Sequence, residues 1–352
     1  MKDIKKTISN RIVNSDQSLI HCLELMDKEM VRLLFVYDKD KFCGILTIGD
    51  IQRAILSNYS LNDPIFNILD SKKVYATPNE PKQSIKEKMI RLRAECMPVV
   101  DNYGNLYDVI FWEDYFPIEQ TIAHKKLNLP VVIMAGGKGT RLLPLTNVIP
   151  KALIPIGNKT MLEIILDKFV DVGCENFFLS LGYKADVIKY YFNSLPHHYN
   201  IQYFVENKPL GTIGSISLIK DKLTQPFFVT NCDIIIDQDY GEVYEYHVEN
   251  NNDITMVVAI KNYKIPYGVV KTGKNGVLTE IEEKPDLTHM INTGIYILNP
   301  ELIDRIPDQK FFHVTELIEN VQQSGGKVGC FPVSEGSWKD IGDWNEYLKY
   351  II

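Results

Sequence analysis

No Cys-x-x-Cys pair occurs in this chain, and no histidine stands near its six cysteines at ligand spacing. A zinc site and a disulfide framework are thereby set aside, and Cys22, Cys43, Cys96, Cys174, Cys232 and Cys330 read as reduced thiols. Apolar runs of membrane-spanning length are also missing, and the charged start Met1-Lys-Asp-Ile-Lys-Lys leads into no apolar signal core. A cytoplasmic chain with no membrane partner is expected. Positive charge is in deficit: 38 Lys and Arg against 45 Asp and Glu leave a net charge of −7. Bulk electrostatics therefore give no nucleic-acid footprint, and an anionic ligand would have to be held by local cations and metal. Low-complexity segments are absent too. What remains is an ordinary globular composition, 45% hydrophobic and 24% charged, in 352 residues, enough for two or three domains with real cores.

The N-terminal third repeats itself. Leu33-Leu-Phe-Val-Tyr-Asp38, a polar turn and Gly44-Ile-Leu-Thr-Ile-Gly-Asp50 read as strand, turn and strand entering a helix at Ile51–Leu56. Cys96-Met-Pro-Val-Val-Asp101, a turn with Asn105, and Tyr107–Asp114 repeat that grammar, with Asp101 standing 63 residues after Asp38. An amphipathic stretch precedes each copy, with apolar residues at 19, 20, 23 and 26 and at 85, 89, 90 and 92. A polar, weakly periodic segment follows, and the linker is placed at 121–128. From Leu129 onward strands and helices alternate: strand Val131–Ala135, helix Met161–Val172, strand Asn176–Leu181, helix Ala185–Leu195, strand Ile201–Val205, helix Thr212–Leu223 and strand Pro226–Asn231. That alternation predicts an α/β fold, a mostly parallel sheet covered on both faces, with ligands beyond the carboxyl ends of its strands.

The glycine-rich loop falls at one such end. Ala135-Gly-Gly-Lys-Gly-Thr-Arg141 continues through Leu-Leu-Pro-Leu-Thr to Pro150-Lys151. Gly136, Gly137 and Gly139 let backbone N–H groups approach a polyphosphate, together with Ala135, Lys138 and Thr140. Arg141 offers a forked cation and Lys151 a point charge on a flexible stem. The P-loop pattern, four residues between two glycines and then Lys-Ser or Lys-Thr, is not met. The run resembles the signature of the sugar-1-phosphate nucleotidylyltransferases, Gly-Gly-x-Gly-Thr-Arg-Leu-x-Pro-Leu-Thr…Pro-Lys, at every fixed position. The resemblance implies a Rossmann-like mixed, mostly parallel sheet of the nucleotide-diphospho-sugar transferase type over residues 129–352. It also implies a reaction of a nucleoside triphosphate with a sugar 1-phosphate, giving a nucleotide sugar and pyrophosphate. Such chemistry rests on positioning and on cations that neutralise the transferring phosphoryl group, here Arg141, Lys151 and Mg²⁺.

Mg²⁺ asks for hard oxygen ligands and commonly only one or two carboxylates. An aspartate after a strand is ordinarily a turn residue or a cap. Asp233, ending Phe227-Phe-Val-Thr-Asn-Cys-Asp, and Asp340, in Trp338-Lys-Asp-Ile-Gly342, resemble the family's two metal positions, in the family's order. Between them stand runs that, by resemblance, shape the sugar pocket through Gly268, Glu283, Thr293 and Gly294 and contact the sugar phosphate through Lys284. Glu206-Asn-Lys-Pro-Leu-Gly-Thr212 resembles a guanylyltransferase segment with Ile213 replacing alanine, placing Glu206, Gly211 and Thr212 at the nucleotide. A carboxylate accepts guanine N1–H and N2–H₂ side by side and pairs with no pyrimidine in that way. GTP is the expected nucleotide, with CTP, UTP and dTTP left open.

Residues 1–120 resemble a tandem pair of CBS domains, a smaller α+β unit. Thr47 and Asp50 match the family's contacts to an adenine nucleotide; the second copy has Phe111 for the threonine and retains Asp114. An adenine nucleotide at this pair and a homo-oligomer follow from the resemblance, and so does a competing role in which the pair only braces or dimerises the enzyme. The whole arrangement is similar to guanylyltransferases that activate an amino- or N-acetylhexosamine 1-phosphate for surface glycans, including legionaminic-acid-type routes. Mannose and heptose 1-phosphates compete. The chain's end ten residues after Gly342 leaves no room for the hexapeptide-repeat domain of some relatives. A reading from another class is a non-catalytic nucleotide-sensing module.

Overall fold

The computed structural model describes residues 8–70, 72–92, 94–115, 126–196 and 199–350. The chain divides into two compact units, Met1–Ala123 and His124–Ile352. Most of the expected linker, residues 121–125, lies outside the described residues.

In the first unit β1 (Ile12–Asn14) runs parallel to β2 (Leu33–Asp38), which turns back into β3 (Lys41–Thr47). The second copy supplies β4 (Cys96–Val100) and β5 (Leu106–Phe111). The duplication extends to irregularities. A bulge breaks the first hairpin between Val36 and Tyr37, and another breaks the second between Val99 and Val100. Val13 pairs in parallel with Val36, and Ala76 pairs in parallel with Val99, each partner again 63 residues on. The two copies share one core, in which Phe35, Phe42 and Ile45 pack with Cys96 and Val109. The upstream helices fall at Leu19–Glu29 and Lys82–Leu92, burying Leu19, Leu23 and Met26 in the first and Ile85 and Met89 in the second.

Helix Ile48–Leu56 opens on a full capping box. The Thr47 hydroxyl accepts from the Asp50 N–H at 3.3 Å, while Asp50 Oδ2 accepts from the Thr47 N–H and hydroxyl at 2.7 Å each. Lys73 Nζ adds bonds of 2.7 Å to both Asp50 oxygens, and Arg53 also pairs with that carboxylate. The second copy keeps half the device: Asp114 Oδ2 accepts from the Phe111 N–H at 2.7 Å. Phenylalanine has no oxygen for the reciprocal bond.

In the second unit a seven-stranded sheet has the order β10-β9-β6-β11-β16-β13-β17. In chain order its strands are β6 (Val131–Ala135), β9 (Asn176–Leu181), β10 (Asn200–Val205), β11 (Phe227–Asn231), β13 (Ile254–Lys264), β16 (Asp286–Leu298) and β17 (Val328–Ser334). Two-stranded pieces fill the gaps: β7 (Pro155–Ile156) with β8 (Lys159–Thr160), β12 (Ile234–Ile236) with β18 (Trp338–Asp340), and β14 (Val269–Thr272) with β15 (Leu278–Glu282). Strand β16 runs against β11 and β13, and the other neighbouring pairs are parallel. The sheet is thus mixed and mostly parallel.

Its strands are apolar on both faces, as a sheet covered on both sides requires. Val131, Ile133, Phe177 and Leu179 face a core formed with helices Met161–Asp171, Ala185–Ser194 and Tyr240–Glu249. Val132, Phe178, Phe227 and Val229 face another, closed by Ile216, Leu317 and Val321. The segment expected as a helix from Thr212 to Leu223 is instead a 3₁₀ run, Gly214–Lys222, broken at Ile219. Ser217 explains part of the difference. Its hydroxyl donates to the Gly214 carbonyl at 2.8 Å and accepts from the Gln309 N–H at 3.3 Å, tying the turn to a distant loop.

Asp50 is buried, which by itself raises a carboxyl pKa, yet the bonds from Lys73 and Thr47 outweigh burial and leave it below the usual range. A lowered folded pKa gives stability that is present above the unfolded value of about 3.9 and is lost as pH falls through the folded value. Asp50→Asn is expected to cost about 2–3 kcal/mol at pH 7, because Lys73 loses its counter-charge. Calorimetric melts from pH 7 to 3 should show the gap between variant and parent closing below about pH 4.

Candidate active site

Adjacent parallel strands deliver their carboxyl ends to one edge of the sheet. In the order β10, β9, β6, β11 the residues that follow are Glu206, Gly182, Gly136 and, two beyond Asn231, Asp233. The loop after Ala135 enters between close neighbours. A Cβ on Gly136 would overlap Glu206 Oε1, and one on Gly182 would lie 2.9 Å from the Gly136 carbonyl oxygen. That carbonyl accepts from the Tyr183 N–H at 3.1 Å. Gly137 has open space around it, Lys138 and Thr140 are exposed, and Gly139 turns the chain at φ +64° beside Thr146 and Lys151. The loop's far side is tied down by Lys184 Nζ, which donates to the Val148 carbonyl at 2.7 Å.

The two aspartates meet through the β12–β18 pair. Ile234 stands opposite Asp340, and the Ile341 N–H donates to the Asp233 carbonyl at 3.0 Å. Lys151 forms an ion pair with Asp233. Arg141 reaches Asp233 at 3.7 Å and Asp340 at 3.9 Å. Burial, and then the charge of Asp233, push the Asp340 carboxyl up, against the opposite pull of Arg141 and Lys151. Four charged groups recognised in the sequence therefore form one cluster.

Gly342 completes it, and no motif in the sequence assigned it a role. A Cβ there would overlap Arg141 Nη2 and lie 2.6 Å from Asp340 Oδ1 and 2.8 Å from Asp233 Oδ2. Its N–H donates to Asp340 Oδ1 at 2.9 Å. With no side chain there, the Arg141 guanidinium and both carboxylates converge on one point. Two hard oxygen donors converging in this way suit a small divalent cation that takes its remaining ligands from water and phosphate. Among the described residues no group of three or more His, Cys, Asp or Glu is placed to hold a metal.

At the other end of the loop Glu206 is half-buried. Its Oε2 accepts from the Leu210 N–H at 2.8 Å and its Oε1 from the Ser180 hydroxyl at 3.4 Å. Burial pushes this carboxyl up, and the two bonds offset part of the rise. Gly211 and Thr212 are held by packing: Gly211 lies against the Phe312 backbone, and the Thr212 hydroxyl accepts from the Val314 N–H at 2.9 Å, where helix Val314–Gln323 begins.

The remaining candidates divide. Gly294, at φ +88°, lies against the side chain of Asn231 at the end of β11, two residues from Asp233. Asn231 is a neighbour that no sequence motif singled out. Thr293 is buried and donates to the Val257 carbonyl at 2.8 Å, so its side chain serves the sheet. Gly268 sits against the Glu283 carboxylate, and Glu283 and Lys284 are exposed and paired at 3.9 Å. They belong to the β14–β15 hairpin region, and no ion pair among the described residues links them to the aspartate cluster.

Residues 130–351 match the nucleotidyl transferase family. The chain belongs to that family. Residues 2–57 match the CBS domain. The nucleotidyl transferase segment is 33% identical over 227 residues to a mannose-1-phosphate guanyltransferase of Yarrowia lipolytica, covering 62% of each chain. It is 33% identical over 224 residues to the mannose-1-phosphate guanylyltransferase catalytic subunit beta of Drosophila melanogaster, covering 62% of this chain and 60% of that one. The match therefore spans 60–62% of the length of these curated relatives. HddC from Yersinia pseudotuberculosis superposes with a TM-score of 0.50 at 29% identity, over 63% of this chain and 97% of that one. Nucleotidyl transferases of this family generally use a divalent metal, in keeping with the paired aspartates. No helix among the described residues is long and apolar enough to cross a membrane.

Gly342→Ala is expected to weaken Mn²⁺ binding at least tenfold, roughly 1.4 kcal/mol, because the methyl group crowds both carboxylates and pushes them apart. Asp340→Asn should weaken it further. Titration followed by electron paramagnetic resonance reads both without turnover.

Proposed function

We propose that this chain is a guanylyltransferase that joins GTP and a sugar 1-phosphate into a GDP-sugar, releasing pyrophosphate. The observation that carries the reading is the convergence of Arg141, Lys151, Asp233 and Asp340 at the mouth of a glycine loop that ends on Glu206. In the reaction an oxygen of the sugar 1-phosphate bonds to the α-phosphorus. The bond from that phosphorus to the bridging oxygen breaks, and pyrophosphate leaves with the electron pair. The nucleophile is already an anion, so no side chain has to remove a proton.

Backbone N–H groups of Ala135, Gly136, Gly137, Lys138, Gly139 and Thr140 cradle the triphosphate, and Arg141 and Lys151 neutralise charge that grows on the transferring group. Asp233 and Asp340 would hold Mg²⁺, which supplies Lewis-acid neutralisation of phosphate oxygens when bound. Glu206 selects guanine, with Gly211 and Thr212 fixing the segment that carries it. Gly268, Glu283, Thr293 and Gly294 border the sugar, and Lys284 meets its phosphate. The curated relatives act on mannose 1-phosphate by name, which makes it the first sugar to assay, beside hexosamine and heptose 1-phosphates.

We extend the proposal to residues 1–120 as a tandem CBS pair, supported by the structural repeat, and to a cytoplasmic homo-oligomer. The same reading names an adenine nucleotide as its ligand. A second role, bracing or dimerising the enzyme, is favoured by one observation: Thr47, Asp50 and Asp114 already act as helix caps. A non-catalytic sensing module is disfavoured by the complete charged cluster.

The deciding experiment crosses GTP, CTP, UTP and dTTP with a panel of sugar 1-phosphates and scores pyrophosphate release. GTP should lead, and a pyrimidine nucleotide in first place would end the guanine assignment. Glu206→Gln should cut the preference for GTP by about 1–3 kcal/mol, since the amide presents a donor where guanine also presents one. Lys151→Ala should lower kcat/KM at least a hundredfold, about 2.7 kcal/mol of transition-state stabilisation. Turnover near the parent value would remove Lys151 from the phosphate site.

A further inference from the structure

Ser180 is the eccentric residue of β9. It is fully buried in a strand whose neighbours Leu179 and Leu181 are equally buried, and a hydroxyl in such a place is costly unless it is bonded. Its partner is Ser215, also fully buried, across an oxygen–oxygen distance of 2.8 Å. Ser215 comes from the 3₁₀ run Gly214–Lys222, so the bond joins two elements across 35 residues of chain. Beyond the pair lies the Glu206 carboxylate, whose Oε1 is 3.4 Å from Ser180 Oγ.

A hydroxyl has one proton and two lone pairs. If Ser215 donates to Ser180, the Ser180 proton is free to point at Glu206, and the chain Ser215, Ser180, Glu206 is satisfied in order. Hydrogen bonds in such a chain polarise one another. The opposite Glu206 oxygen is held by the Leu210 N–H at 2.8 Å, and Gly136 leaves no space beside Oε1. Ser180 therefore bears on the torsion of the carboxylate.

We propose that Ser180, backed by Ser215, is a positioning residue that sets the plane of the Glu206 carboxylate and thereby the discrimination for the two-donor edge of guanine. The inference rests on the reading of Glu206 as the base-selecting group. Guanine offers N1–H and N2–H₂ to two oxygens in one plane, whereas hypoxanthine, in ITP, offers N1–H alone. A carboxylate held in plane gains from the second donor, and one free to turn gains less. The ratio of kcat/KM for GTP to that for ITP reads this alignment, and a loss of general stability would not move it.

The test measures that ratio in the full chain for the parent, Ser180→Ala, Ser215→Ala, Glu206→Gln and the Ser180→Ala/Glu206→Gln double variant. The parent should prefer GTP at least tenfold, and Ser180→Ala should reduce the preference about fivefold, an effect of the size of one lost hydrogen bond. Ser215→Ala should move it the same way by less, and it decides the matter should Ser180→Ala fail to fold. The double variant should be no less selective than Glu206→Gln alone, because the serine acts through the glutamate. A collapsed ratio in Glu206→Gln beside unchanged ratios in both serine variants would overturn the relay and leave the reading of Glu206 standing. An unchanged ratio in Glu206→Gln, or a parent without preference for GTP, would overturn that reading itself.

Discussion

Two carboxylates pressed into one half-dry corner repel each other, and the charged groups of the second unit's loop edge are arranged around that repulsion. The β12–β18 pairing forces Asp233 and Asp340 together, and burial together with the neighbouring charge raises the Asp340 carboxyl. Lys151, half-buried against the buried Asp233, and Arg141, reaching both aspartates, supply the compensating charge. Both cations come from the glycine loop and its continuation, so the loop's course is coupled to the aspartates by electrostatics as well as by sheet order. The same convergence leaves no room for a methyl group at Gly342, because three charged groups already meet at that point.

Along the strands the sequence was a reliable guide for a physical reason. Asn176–Leu181 and Val131–Ala135 are short, mainly apolar runs, as strands buried on both faces must be, and the structure has them at those bounds. The loop residues of the cluster were legible because glycines, an arginine and a lysine at fixed spacing are the parts from which a polyphosphate cradle is built. Gly214–Lys222 was not legible. Its apolar residues recur at helical spacing, but Ser217 bonds its own turn and a distant loop, and nothing local announces the second bond. The β12–β18 pair was hidden for the same reason, since register between segments a hundred residues apart leaves no trace in either one. Glu206 could be named from its motif, but Ser180 could not, because a single serine in an apolar strand looks like a tolerated small residue.

The N-terminal unit shows a motif whose letters have a structural use beside the ligand role proposed for them. Thr47 and Asp50 form a capping box, with Lys73 neutralising the carboxylate. The same two residue types serve to start a helix and to meet a nucleotide's ribose and phosphate, so composition alone does not separate the two. The second copy is informative here. It lacks the threonine and retains the aspartate, which still accepts from the backbone N–H of the residue in the threonine's place. A cap survives that loss at reduced strength.

Strands β13 and β16 pair from Ile254↔Leu298 out to Lys264↔Asp286, and one bulge, between Met256 and Val258, interrupts them. The Thr293 hydroxyl is bonded to the carbonyl of Val257, the residue inside that interruption. A continuous antiparallel ribbon twists as one body, whereas a bulge lets the twist change abruptly at a single place. The bulge thus divides the ribbon into an outer part, which leads back toward Glu283, and an inner part, which carries Gly294 beside Asn231. The proposed sugar site thus has one end on β16, at Gly294, and the other just before that strand, at Glu283, with the Thr293 hydroxyl bonded at the bulge.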